Sequence, residues 1–127
     1  MSKKILITGG AGFIAHHLIN HILNKTDWEI ITLDRLDFSG NLNRLNEVVS
    51  SYPKSEQKRV KVIHHDLKAE LNPEICATIG HIDFICHLAA GSHVDRSISF
   101  PLEFVMDNVL GTAHILDYAR KLDSIER

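Results

Sequence analysis

The chain has 127 residues, of which 44% are apolar and 24% charged, with a formal net charge of −2 at pH 7. That is one globular domain of ordinary soluble composition, large enough for a core. It excludes a nucleic-acid binder with a basic stripe, and it excludes a membrane-spanning segment, because no apolar run is long enough. With no targeting segment at the N-terminus, the default expectation is a cytoplasmic location. Cys76 and Cys86 have no C-x-x-C spacing and read as small buried hydrophobes in a reducing compartment.

The elements alternate along the chain. Lys4–Thr8 is apolar on both faces, the pattern of a buried parallel strand. Phe13, Ile14, Leu18, Ile19, Ile22 and Leu23 predict a helix from about Gly12 to Asn24. Glu29–Asp34 reads as a second strand ending in a carboxylate. Asn41–Ser50 reads as a short amphipathic helix, and Tyr52–Lys58, polar and holding Pro53, as a loop. Val60–His64 is a third strand, followed by Asp66. Asn72-Pro73 supplies an N-cap and a first-turn proline for a helix that Gly80 stops. Ile82–Leu88 is a fourth strand. Leu102, Met106, Val109, Ala113 and Leu116 predict one long helix from Pro101 to near Leu122.

Strands alternating with helices imply an α/β, Rossmann-like three-layer fold with a parallel sheet in the order 3-2-1-4. Between the first strand and first helix lies Thr8-Gly9-Gly10-Ala11-Gly12-Phe13-Ile14-Ala15. It can be read as G-x-x-G-x-x-A or G-x-G-x-x-A, in the strand–turn–helix context of a dinucleotide-binding loop. Gly9 and Gly10 allow a sharp turn, Gly12 a close approach to pyrophosphate, and Ala15 tight helix–strand packing. The alternative is a glycine-rich turn without a ligand.

Asp34 at the end of the second strand can accept hydrogen bonds from both adenosine ribose hydroxyls and would repel a 2′-phosphate, favouring NAD over NADP. Arg35 pulls the other way, since an arginine there can hold that phosphate. Asp66-Leu67 stands at the expected height of adenine, or is a plain turn. The nine histidines include the i,i+4 pair His17 and His21, but no acidic residue or cysteine completes a metal site, so no metal is expected.

The runs TGGAGFIA, Asp34 with Gly40-Asn41-Leu42, then His87-Leu88-Ala89-Ala90-Gly91-Ser92-His93-Val94-Asp95-Arg96-Ser97, Phe100-Pro101 and Asn108-Val109…Gly111-Thr112 resemble the extended short-chain dehydrogenases/reductases. Within them the sequence is most similar to the dTDP-glucose 4,6-dehydratase branch of the NAD-dependent epimerase/dehydratase family. The resemblance implies that Gly9, Gly12, Phe13 and Ile14 hold the pyrophosphate. It gives Asp34 the adenosine ribose, with Arg35 beside it, and Asp66 and Leu67 the adenine. Leu88, Ala89, Ala90 and Asn108 would hold the rest of NAD, and Ser92, His93, Asp95 and Arg96 would approach the sugar nucleotide. Ala15 departs from the usual third glycine, and Gly91 stands where the dehydratases commonly carry glutamate.

The resemblance also implies a tyrosine base with a lysine four residues later. The tyrosines here are Tyr52 and Tyr118, and the residue four beyond Tyr118 is Leu122, so no catalytic residue is assigned. The expectation is a single domain over residues 1–127, truncated before a fifth strand, without a substrate domain and inactive alone. The bare outer edge of the fourth strand, or the last helix, would then be buried in a homodimer or against a complementing second polypeptide. The alternatives are a non-catalytic interaction or regulatory protein using that edge, or one half of a split dehydratase.

Overall fold

The computed structural model describes residues 2–36 and 41–127. Gly40 of the Gly40-Asn41-Leu42 run therefore lies outside the described residues. Four parallel strands, β1 (Lys4–Thr8), β2 (Glu29–Asp34), β3 (Val60–His64) and β4 (Phe84–His87), form one sheet in the order β3-β2-β1-β4, as the alternation predicts. Leu6 faces Ile31 on one side and Ile85 on the other.

Side chains alternate across a strand, so the sheet divides its apolar residues between two faces. Ile5, Ile7 and Ile30 pack with Ala15, Ile19, Ile22 and Leu23 of α1 (Phe13–Lys25) and Leu45 of α2 (Leu42–Ser50). Leu6, Ile31 and Leu33 pack on the opposite face with Ile79, Ile115 and Tyr118. Leu6, Ile7 and Leu33 are fully buried. Truncating any such residue to alanine removes about 2–5 kcal/mol.

Local signals set most helix ends. Gly12 is the N-cap of α1, one residue before the first helical position. Asn41 caps α2 by accepting from the Asn43 N–H at 2.9 Å, while its own N–H donates to the Ala11 carbonyl at 3.0 Å. The segment read as a loop around Pro53 contains a single helical turn, α3 (Lys54–Gln57), in which the Glu56 and Gln57 N–H groups donate to the Pro53 carbonyl. In α4 (Pro73–Ile79) Asn72 accepts from Ile75 N–H at 2.8 Å, and Gly80 ends the helix at φ 69°.

Three further differences from the expected elements matter for the site. β4 is shorter than Ile82–Leu88 at both ends. A six-residue helix, α5 (Val94–Ser99), occupies what the sequence suggested was only the strand-end run. The long last helix consists of α6 (Pro101–Val105), a π turn over Met106–Leu110 and α7 (Gly111–Arg120). The π turn is closed by Gly111 N–H donating to the Met106 carbonyl.

The β4 edge, expected to be bare, is partly closed by the chain's own last residues. Glu126 N–H donates to the Asp83 carbonyl at 2.8 Å, and Ile85 N–H donates to the Arg127 carbonyl at 2.9 Å. Lys3 pairs with Glu126 beside them. Exposed apolar surface lies instead on the last helix, at Leu102, Val105, Met106, Val109 and Leu116.

Arg59 closes the turn between α1 and β2. Its guanidinium donates to the carbonyls of Leu23, Thr26 and Trp28 at 3.3, 2.6 and 3.0 Å and pairs with Glu56. The Leu23 and Thr26 carbonyls are ones that the end of α1 leaves unpaired, and that of Trp28 belongs to the turn before β2. Arg59→Ala is expected to lower unfolding stability by about 2–3 kcal/mol, read from urea midpoints.

Candidate functional site

A cleft of about 620 Å³, open to solvent, lies at the carboxyl ends of β1, β2 and β4. Gly9, Gly12, Asp34, Arg35, Asp66, Leu67, Leu88, Ala89 and Ala90 all contribute to its wall. This is the crevice where a doubly wound sheet reverses its strand order and where such folds hold ligands.

The glycines have distinct reasons. Gly9 adopts φ 74°, and a Cβ on it would stand 2.9 Å from Ala89 Cα. Gly10 serves packing, because its Cβ would stand 2.4 Å from the Thr32 side chain. Gly12 has an extended backbone, and a Cβ there would meet only the Gly9 carbonyl, at 3.0 Å. Ala15 is 1% exposed, which fits a small residue between helix and strand.

Gly12 brings no capping side chain to α1, and the first turn of that helix carries no acidic residue. The first-turn N–H groups of Phe13, Ile14 and Ala15 have no partner inside the helix. An anion is the natural partner for that end. The Phe13 and Ile14 side chains themselves are 68% and 70% exposed.

Asp34, 8% exposed, ties the cleft together. One carboxylate oxygen accepts from Ala11 N–H at 3.0 Å, the other from Leu36 N–H at 2.7 Å. Each oxygen keeps a second lone pair for a ligand hydroxyl. Arg35 is engaged by a residue the sequence did not single out: its two terminal nitrogens donate to the two oxygens of Asp107 at 2.6 and 2.9 Å. Asp66 accepts from Lys68 N–H at 3.0 Å, and Lys68 Nζ stands 3.5 Å from the Asp66 carboxylate. Asp107, Lys68 and His65 line the cleft although no sequence motif marked them.

The floor at the end of β4 is set by a complete hydrogen-bond chain. Thr112 Oγ1 donates to the Asn108 carbonyl at 2.5 Å, so its oxygen accepts from His87 Nε2–H at 2.9 Å. His87 is thereby the Nε2–H tautomer, and its Nδ1 accepts from Thr8 Oγ1–H at 2.6 Å. Thr8 Oγ1 accepts in turn from Leu88 N–H and Ala89 N–H, both at 3.1 Å. Burial pushes the His87 pKa below its ordinary 6.5. A proton on Nδ1 would oppose the Thr8 hydroxyl proton. Because the unfolded chain takes up that proton first, stability is complete above pH 6.5 and falls as the pH drops below it. In His87→Gln the decline of the urea midpoint between pH 7.5 and 5.5 is expected to shrink. An unchanged decline would show that His87 is not responsible.

The π turn brings Asn108 to the same floor. Its side chain accepts from Gly91 N–H at 2.7 Å and donates to the Gly91 carbonyl at 3.1 Å, so it reaches the cleft through Gly91. A Cβ at Gly91, where the dehydratases commonly carry glutamate, would stand 2.8 Å from the Phe104 ring, so a side chain there requires that ring to shift. Ser92, His93 and Arg96 lie in a second recess beyond Arg35 and Asp107, and Arg96 donates to Glu103 at 3.3 Å. Asp95, in the first turn of α5, does not line either recess. Tyr118 is buried in the core, and desolvation pushes its hydroxyl up to about 12. Among the described residues no group of three or more His, Cys, Asp or Glu could hold a metal ion. No helix among them is long and apolar enough to cross a membrane.

Known proteins share this arrangement. The profile of the family described as GDP-mannose 4,6 dehydratase matches residues 6–127. A dTDP-glucose 4,6-dehydratase from Escherichia coli is 41% identical over 93% of this chain and 31% of its own length. The crystal structure of dTDP-glucose 4,6-dehydratase from Streptomyces venezuelae with NAD and TYD bound is similar at a TM-score of 0.75 and 35% identity. That match covers 91% of this chain and 35% of the other. The UDP-Glc/GlcNAc 4-epimerase from Campylobacter jejuni is similar at a TM-score of 0.79 and 29% identity, over 94% of this chain and 34% of the other. The chain thus spans about a third of the length of the relatives it matches. Fold, glycine turn and sequence match agree, and the chain belongs to the GDP-mannose 4,6-dehydratase family.

Proposed function

We propose that this chain binds NAD in the cleft at the strand ends, as the cofactor-binding part of a nucleotide-sugar 4,6-dehydratase or epimerase. The observation that carries this reading is the joining of the glycine turn to Asp34: the Ala11 N–H of the turn rests on the Asp34 carboxylate, in one cleft. The group fits the residues present. Gly9 and Gly12, with the Phe13 and Ile14 N–H groups, receive the pyrophosphate, where a side chain on Gly9 could not fit. Asp34 accepts the ribose hydroxyls with its remaining lone pairs and repels a 2′-phosphate. Asp66 and Leu67 flank the adenine. Leu88, Ala89 and Ala90, their backbone set by Thr8, leave room for the nicotinamide end. Ser92, His93, Asp95 and Arg96 belong to the side from which a sugar nucleotide would approach.

Bound NAD would supply a hydride acceptor that later returns the hydride. These 127 residues hold no tyrosine followed by lysine four positions on, and Tyr118 is a core residue. Residues 1–127 alone are therefore proposed to bind cofactor without turning over a sugar nucleotide, and catalysis needs groups from another polypeptide segment. The last helix supports association as well: Leu102, Val105, Met106, Val109 and Leu116 are all exposed at helical spacing. Such a stripe is complementary to itself about a two-fold axis, so a second copy is the proposed partner. A stable monomer at micromolar concentration in sedimentation would sink that part. Calorimetry with NAD and NADP tests the rest. NAD binding tighter than NADP supports the reading, whereas no heat and no thermal shift at millimolar NAD overturns it.

A further inference from the structure

We propose that Asp107 is a cofactor-specificity residue: it holds the Arg35 guanidinium away from duty as a 2′-phosphate receptor. The inference rests on the NAD-binding reading above and adds a residue to it. Arg35 directly follows the ribose-binding candidate Asp34, at the place where an arginine admits NADP in dinucleotide folds. A free guanidinium there would weaken the discrimination that Asp34 provides. Here the fork is spent on Asp107 in a two-point pair at 2.6 and 2.9 Å, with both oxygens of the carboxylate used. The Asp107 side chain is 12% exposed and that of Arg35 28%, so the pair is shielded from solvent. A bidentate pair of this kind is stronger and more directional than a single charged contact.

The surrounding charges act in the same direction. Lys68 Nζ lies 3.5 Å from Asp66 and 4.0 Å from Asp107, and Arg35 lies 4.0 Å from Asp66. Asp34, Asp66 and Asp107 thus outnumber Arg35 and Lys68 around the cleft wall, which disfavours a further dianion. Asp107 lies in the π turn over Met106–Leu110, between α6 and α7.

The test compares binding of NAD and NADP, and of 5′-AMP and 2′-AMP as probes of the ribose end alone, to the wild-type chain and to variants by calorimetry. Asp107→Ala and the near-isosteric Asp107→Asn are both expected to raise NADP affinity relative to NAD by about tenfold, with the same preference for 2′-AMP. Arg35→Ala introduced into either variant should erase the gain. If Asp107→Ala fails to fold, Asp107→Asn, which keeps the shape, decides. Ratios unchanged within about twofold while NAD still binds would overturn the role of Asp107 and leave the NAD reading standing. A gain that survives Arg35→Ala would also overturn it. Failure of the wild-type chain to bind NAD at all would overturn both.

Discussion

Gly9→Ala is expected to lower unfolding stability by about 2–4 kcal/mol and to remove measurable NAD binding, while Gly12→Ala costs less stability, about 1 kcal/mol, and loses the binding. Gly9 holds φ 74°, where a side chain costs about 1–2 kcal/mol by itself. Its Cβ would also stand 2.9 Å from Ala89 Cα and 3.0 Å from Ala89 N. Those atoms are main chain at the end of β4, pinned by Thr8 Oγ1, so they cannot step aside as a flexible side chain would. Relief requires parting β1 from β4 near the cleft. Gly12 has an ordinary φ of −73° and one tight approach, 3.0 Å to the Gly9 carbonyl oxygen, which a small shift within the turn relieves. Its alanine methyl would protrude at the start of α1, where the pyrophosphate is proposed to sit. Urea unfolding without cofactor separates the two variants, and calorimetry with NAD measures the second effect. A Gly9→Ala chain as stable as wild type, or a Gly12→Ala chain binding NAD with wild-type affinity, would contradict this account of the turn.

The same contrast explains which features the sequence made legible. The glycine turn, the strand order and the caps at Asn72 and Gly80 follow from short-range rules: φ preference, apolar alternation, and a side chain reaching a nearby N–H. The pairings that escaped notice act over long separations. Arg35 and Asp107 are 72 positions apart, and Thr8 and His87 are 79 apart. Nothing local at Asp107 marks it as a partner of Arg35. The π turn escaped because Leu102, Met106, Val109 and Ala113 keep helical spacing through it, so one inserted residue hardly disturbs the pattern. Helix α5 had a signal that could have found it: Val94 and Ile98 are four apart, with Asp95 in the first turn and Arg96 toward the end. The bare β4 edge was misjudged because residues 124–127 carry no strand pattern, yet they bond to it through main chain and the Ser124 hydroxyl.

Asp34→Ala is expected to act twice, lowering stability by about 2–4 kcal/mol in the absence of cofactor and weakening NAD binding by about 1–3 kcal/mol, roughly tenfold to hundredfold. The stability loss comes from the protein's own donors. Ala11 is 0% exposed, and removing the carboxylate leaves its N–H without the acceptor it has now. Leu36 sits at φ 56°, an unfavourable conformation for leucine that the 2.7 Å bond to Asp34 helps to hold. The affinity loss comes from the two remaining lone pairs, which in the proposed complex take the ribose hydroxyls. Asp34→Asn removes the charge while nearly keeping the shape. Its amide oxygen preserves one acceptor, while its NH₂ turns a donor toward a backbone N–H. It should therefore lower both: stability drops, and NAD weakens, with NADP gaining relative to NAD because the repelling charge is gone. Denaturation without ligand reads the first effect and calorimetry the second. Full stability with lost binding would mean the carboxylate serves the ligand alone. Lost stability with unchanged affinity would mean it serves only the turn. Both effects are expected of one carboxylate bonded to the glycine turn and open to the cleft.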